Sequence, residues 1–339
     1  MVKMKAMKMG MTATGLALTT FMLMGVGVSN ASTVKHETKL SSQKSYTFVY
    51  IPQGAIPFYQ AVDNGIVAAS KKYGNITIKY QAPDSMTDNA AQLTLFNNAV
   101  ANHVDGIIIS PQNPVEFVNP IKRAEQAGIP VICVDTGVTP NVAYSYIATS
   151  NVNASTQVAN YMAKLVKKKG TQLLLNFNHS SSTAIERQAG WEYVMNKMKG
   201  IKSLGVQLTN NDPGITASAV QTSYQRDNSL NLIFGTNYLT ASVAAKFVQT
   251  HHLKGKVFVA GFDVDPGVVS YVKSGYIAAT VVQYPFQMGS KALNEMMSVK
   301  AGKKVPKIVK TKVFILTPKN VHTKAAISAI GQYITGYKG

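Results

Sequence analysis

Eight short apolar runs recur along the chain, separated by longer segments of helical periodicity, and this alternation constrains the fold more than any other feature. The runs are YTFVYI, ITIKY, GIIIS, PVICV, TQLLLNF, NLIFG, KVFVAGF and IAATVV. Helical pattern covers residues 58–72, 89–102, 114–127, 153–169, 184–199, 215–226, 239–252 and 286–301. Strands that alternate with helices in this way build βαβ units and parallel sheets. The runs are continuously apolar rather than alternating, as in sheets covered by helices on both faces. Ligands of such folds bind in the crevice beyond the carboxyl ends of the strands. The residues that follow each run are therefore the first candidates for function.

Those positions carry a consistent set of polar groups. The first run is followed by PQGAIPFY, which ends in Phe58 and Tyr59 at a helix start. Asp135 follows PVICV, and Arg187 follows TQLLLNF and a Ser-rich turn. Asn237 follows NLIFG, Asp263 follows KVFVAGF, and Gln283 follows IAATVV. Planar amides, carboxylates and a guanidinium grip neighbouring hydroxyls, and an aromatic face covers the apolar side of a sugar ring. Each residue also has a local alternative. Asp135, Asp263 and Asn237 could serve only as turn or capping residues, Phe58 and Tyr59 as core, and Arg187 as a surface charge. Asp265 is read as a turn residue and Trp191 as core.

The first thirty-one residues stand apart. Lys3, Lys5 and Lys8 precede an apolar stretch from Gly15 to Val28, and Ser29, Asn30 and Ala31 offer small residues to a signal peptidase. This pattern predicts a secretory signal peptide at 1–31, followed by a flexible polar lead-in at 32–45. The alternative, an uncleaved membrane anchor, needs a longer apolar run. The lone Cys133 lies inside an apolar run and reads as a buried small hydrophobe. With no cysteine after the leader, attachment through a lipidated cysteine is not expected, and the chain is expected to be periplasmic or extracellular.

Composition excludes other classes. The formal net charge of +19 comes from a shortage of acids, 15 Asp and Glu against 34 Lys and Arg. The arginines are only Arg123, Arg187 and Arg226, which argues against a nucleic-acid partner that would be read by arginine forks. The six histidines show no metal-ligand spacing, and no phosphate-binding loop, nucleophile elbow or dinucleotide fingerprint is present. No enzymatic activity, cofactor or metal is expected. The acid-poor surface fits an extracytoplasmic setting.

Taken together in order and spacing, IPFYQAVDNGI, VDGIIISPQNP, AGIPVICVDT, IERQAGW, LIFGTNY, VFVAGFDVDPGVVSYVKSGYIAATVVQYPFQMG and VPKIVKTKVFILTPKNV resemble the sugar-binding periplasmic proteins of the ribose-binding type. The resemblance implies the type I periplasmic binding protein fold, an α/β fold of two doubly wound parallel-sheet lobes joined by a three-crossing hinge. The lobes would be 46–149 plus 284–315 and 150–283 plus 316–339. It implies that Phe58, Tyr59, Asp135, Arg187, Asn237, Asp263 and Gln283 contact a monosaccharide or related polyol. It further implies a monomer that hands the sugar to the membrane subunits of an ABC permease, with a sensing role for a chemoreceptor or sensor kinase as the alternative. The sequence departs from the ribose-type pattern at Ile56, at Thr136, and at Asn211 or Asp212, where an aromatic would be expected. These departures put ribose itself in doubt as the ligand.

Overall fold

The computed structural model describes residues 44–334 and 336–339. The predicted signal peptide and nearly all of the lead-in lie outside the described residues.

The chain runs β1 (Tyr46–Ile51), α1 (Pro57–Ser70), β2 (Ile76–Tyr80), α2 (Asn89–Ala101), β3 (Gly106–Ile109), α3 (Val118–Gln126), β4 (Val131–Val134) and β5 (Ser145–Thr149). It continues through α4 (Asn151–Leu165), β6 (Gly170–Asn176), α5 (Ser182–Met195), β7 (Ile201–Leu208), α6 (Pro213–Arg226), β8 (Leu230–Gly235), α7 (Tyr238–Thr250), β9 (Phe258–Phe262), α8 (Pro266–Lys273) and β10 (Ile277–Val282). It ends with α9 (Pro285–Lys300), β11 (Ile308–Thr311), β12 (Phe314–Leu316) and α10 (Lys324–Ile330).

The strands form two six-stranded sheets of matching order, β11-β5-β4-β3-β1-β2 and β12-β10-β9-β8-β6-β7. Every pairing is parallel except that of β12 with β10, which is antiparallel. The fold is thus two α/β lobes. The chain passes between the sheets after β5, after β10 and after β11. Ile315 pairs with Val281 of β10, so Phe314 and Ile315, grouped with the first lobe on sequence grounds, join the second sheet.

Central strands explain why the apolar runs were readable. All four residues of β3 and of β4 are buried, because helices cover both faces. The edge strands β2 and β7 mix half-buried and exposed residues. Helix α3 begins at Val118 rather than near residue 114, because the Asn113 side chain accepts from the amides of Val115 and Glu116 and holds a turn there.

In the second lobe, Trp191 is fully buried, stacks on Phe234 with ring centroids 4.3 Å apart, and donates from Nε1 to Gln172. Cys133 is buried in the first lobe. Helices α1 and α9 pack closely enough that a Cβ on Gly289 would lie 1.9 Å from the Val62 carbonyl oxygen. A larger hydrophobic cluster runs through both lobes and includes Phe58, Tyr59, Leu175 and Tyr333. Among the described residues, no helix is long and apolar enough to cross a membrane.

Candidate functional site

The carboxyl ends of the two sheets carry two aspartates in the same backbone state. Asp135 follows β4 with φ of 64°, and Asp263 follows β9 with φ of 70°. Asp tolerates this left-handed region better than most residues. Each aspartate amide donates to the neighbouring strand, Asp135 to Ile147 at 2.8 Å and Asp263 to Val281 at 2.7 Å. Each aspartate carbonyl in turn accepts a side-chain hydroxyl at 2.9 Å, from Tyr146 in the first lobe and Thr280 in the second. The local geometry thereby fixes both carboxylates at the cleft.

One pocket of about 390 Å³, part of it open to solvent, lies between these ends. All seven predicted residues line it: Phe58, Tyr59 and Asp135 from the first lobe, and Arg187, Asn237, Asp263 and Gln283 from the second lobe and its crossing. The aromatic pair is buried at the start of α1, where Pro57 occupies the first helical turn.

The two carboxylates differ in how well they are satisfied. Asp263 Oδ2 meets Arg187 Nη1 at 3.3 Å, while Oδ1 accepts from Gln283 Nε2 and from the Tyr333 hydroxyl, both at 2.6 Å. Arg187 is held by Asn151 Oδ1 at 3.1 Å and the Thr236 carbonyl at 2.9 Å, with its guanidinium 3.7 Å from the Phe262 ring centroid. A buried charge needs this kind of pairing and hydrogen bonding to be tolerated.

Asp135 is 4% exposed and has one donor, the Tyr59 hydroxyl at 3.0 Å from Oδ2. Its Oδ1 is buried without a partner among the described residues, and so is Gln283 Oε1. Burial pushes the Asp135 carboxyl up to about 7; Arg187 opposes this and the Asp263 charge adds to it. The Tyr59 phenol is raised well above its usual value by burial and then by Asp135.

Asn237 does two things at once. Its Oδ1 caps α7 by accepting from the Thr240 amide at 3.0 Å, and its Nδ2 donates to Asn211 at 2.8 Å. Asp265 begins α8, accepting from the Val268 amide at 2.7 Å, so the expected turn is a helix cap.

The positions that depart from the ribose-type pattern divide. Ile56 lines the pocket. Thr136 is fully buried and donates to the Pro111 carbonyl, while Asp212 caps α6. Asn211 orients Asn237. An aromatic face on the second lobe comes instead from Phe177, which also lines the pocket.

Sequence reasoning passed over Gln53, Met86, Phe177, Thr183 and Tyr238 as pocket residues. Three of them could have been found by the rule that located the others. Gln53 lies two residues after β1, Phe177 directly after β6, and Tyr238 beside Asn237. Tyr333 had no such signal. It lies beyond α10, yet its hydroxyl bonds Asp263 and accepts from the Gln283 amide at 3.1 Å, and its ring is 5.7 Å from that of Phe58.

Residues 48–304 match the model of the periplasmic binding protein domain. The ribose import binding protein of Salmonella typhimurium is 28% identical over 250 residues, covering 74% of this chain and 82% of that protein. The D-allose-binding periplasmic protein of Escherichia coli is 26% identical over 260 residues, covering 74% and 83%. Among solved structures, an ABC transporter solute-binding protein from Agrobacterium vitis bound with α-D-tagatopyranose aligns with a TM-score of 0.80 and 28% identity, covering 84% of this chain and 99% of that one. A glucose-galactose binding protein from Geobacillus stearothermophilus aligns with a TM-score of 0.78 and 29% identity, covering 82% and 99%. Each of these is a sugar-binding protein by its name or by the sugar bound in its structure. With two matching lobes, a pocket between them and a family match over most of its length, the chain belongs to the periplasmic binding protein family, among the sugar-binding solute-binding proteins of ABC importers.

Proposed function

We propose that this protein captures a monosaccharide or related polyol between its lobes and delivers it to the membrane subunits of an ABC import permease. The observation that carries this reading is a pair of buried acceptors, Asp135 Oδ1 and Gln283 Oε1, left without partners at the wall of a pocket that both lobes build. Buried acceptors are costly to leave unmade, and sugar hydroxyls are the donors that complete them. The Arg187 guanidinium supplies the complementary donors, and Phe58 and Phe177 supply apolar faces for the C–H side of a ring. The names of the similar proteins, which import ribose or bind allose and tagatose, support the ligand class and the transport role.

The mechanism needs no covalent step. A sugar that touches Phe58, Tyr59 and Asp135 on one lobe and Arg187, Asn237, Asp263 and Gln283 on the other binds the closed arrangement more tightly than an open one. It shifts the population toward closure by that difference in affinity. The closed shape is the signal a permease reads. The family and the leader-like residues 1–31 support export across the membrane, and a single lobe pair suffices for this task, so the protein acts as a monomer.

The test is a thermal-shift screen of the exported chain, from residue 32 onward, against monosaccharides and polyols. One or a few should raise the melting temperature, and Asp135→Ala should remove the rise. A screen in which no sugar or polyol acts while another solute class does would overturn the reading.

A further inference from the structure

Beyond the inner pocket, the cleft widens into a second, larger chamber that is also open to solvent. Met86 of the first lobe and Phe177 of the second line both spaces and form the waist between them. The chemistry changes across this waist. The inner pocket holds Asp135, Arg187 and Asp263, whereas no carboxylate, lysine or arginine lines the outer chamber, and His179 is its one titratable side chain. In their place stand side-chain amides, Asn89, Gln112 and Asn113 from the first lobe and Asn178 and Asn210 from the second.

Two of these amides have committed their nitrogens and left their oxygens free. Gln112, 4% exposed, donates from Nε2 to the carbonyls of Gln53 at 2.7 Å and Ser85 at 2.9 Å, and its Oε1 is buried without a partner among the described residues. Asn89 donates to Glu116, and its Oδ1 is in the same state. A wall of neutral acceptors calls for a neutral donor. A phosphate would meet no cation there, and a metal ion would meet no carboxylate.

We propose that the outer chamber is a second subsite, for an uncharged hydroxylated unit. The ligand is then a glycoside or disaccharide whose first ring fills the inner pocket and whose second unit passes the waist between Met86 and Phe177. This rests on the sugar-binding reading above.

The experiment takes the monosaccharide with the largest thermal shift and compares it by calorimetry with disaccharides and alkyl glycosides built on it. The same titrations are run on Asn89→Ala, which removes one of the two free acceptors and lines the outer chamber alone. At least one disaccharide should bind about tenfold tighter than its monosaccharide, as one or two added hydrogen bonds would give. Asn89→Ala should remove most of that advantage and leave the monosaccharide affinity unchanged. Disaccharides that bind no tighter than the monosaccharide, or an advantage undiminished in the variant, would overturn the second subsite while leaving the inner site standing. Failure of every monosaccharide and disaccharide to bind would overturn both.

Discussion

Asp135 and Asp263 occupy the same station in the two lobes, each in the left-handed region after the fourth strand of its sheet, but their surroundings are opposite. Asp263 is gripped by Arg187, Gln283 and Tyr333, while Asp135 has Tyr59 alone. One carboxylate is part of the framework, and the other is held ready.

Neutralising each should therefore separate stability from binding. Asp263→Asn breaks a buried pair and should destabilise the ligand-free protein by about 3–5 kcal/mol. Asp135→Asn removes an under-satisfied buried charge and should raise ligand-free stability near neutral pH while weakening sugar binding at least tenfold. Denaturant unfolding with parallel calorimetry separates the two. Similar destabilisation by both would contradict the asymmetry.

The raised Asp135 carboxyl gives stability a pH dependence. Its folded value is about 7, against about 3.9 for an unfolded aspartate. Between these values the folded state holds the proton and the unfolded state does not, so stability is full below about pH 4 and is lost as pH rises through about 7. Glu125, raised to about 7 by burial against the pull of Lys307, works in the same direction. The ligand-free melting temperature should fall by a few degrees from pH 4.5 to pH 7.5, and Asp135→Asn should flatten the slope. A slope unchanged in that variant would assign the effect elsewhere.

Tyr333 tests how far the site reaches beyond the pocket wall. Tyr333→Phe keeps the ring against Phe58 and removes the hydroxyl between Asp263 and the Gln283 amide. It should cost about 1.5–3 kcal/mol of stability, since the bond is to a charged group, and weaken sugar binding several-fold. Binding measured well below the melting temperature isolates the second effect, and unaltered affinity would confine Tyr333 to a structural role.

Gly289 in α9 packs against the Val62 carbonyl of α1 with no room for a methyl group. Gly289→Ala must push the helices apart and should destabilise the first lobe by about 1–3 kcal/mol. Chemical unfolding gives the number directly, and a neutral effect would mean that the crossing is more yielding than its geometry.

The legible part of this fold was the part buried on both sides. Strands β4 and β9 appear as unbroken apolar runs because helices cover them, and each announces the functional residue at its end, Asp135 and Asp263. Strand β7 was passed over because an edge strand mixes polar and apolar residues. Strand β5 was passed over because its SYIAT sequence, although buried throughout, has no apolar run. Asp265-Pro266-Gly267 resembles a turn locally and begins a helix only because Asp265 caps it. Tyr333 could not be found from its neighbours, since its role depends on where the end of the chain packs rather than on any local pattern.

The links between the two sheets are very short. Ser150 alone separates β5 from α4, Gln283 and Tyr284 separate β10 from α9, and Lys312 and Val313 separate β11 from β12. An extended chain spans at most about 3.6 Å per residue, so along the β11–β12 edge the lobes are tethered within about 11 Å of each other. They can swing but not drift apart. With strands about 4.8 Å apart, the opposite edges, β2 and β7, lie about 24 Å from that tether. A rotation of about 20° there lifts the far edges by about 8 Å. The lever acts most strongly where Thr87 and Asn210 flank the entrance, so a small turn near Gln283 becomes a doorway wide enough for a sugar.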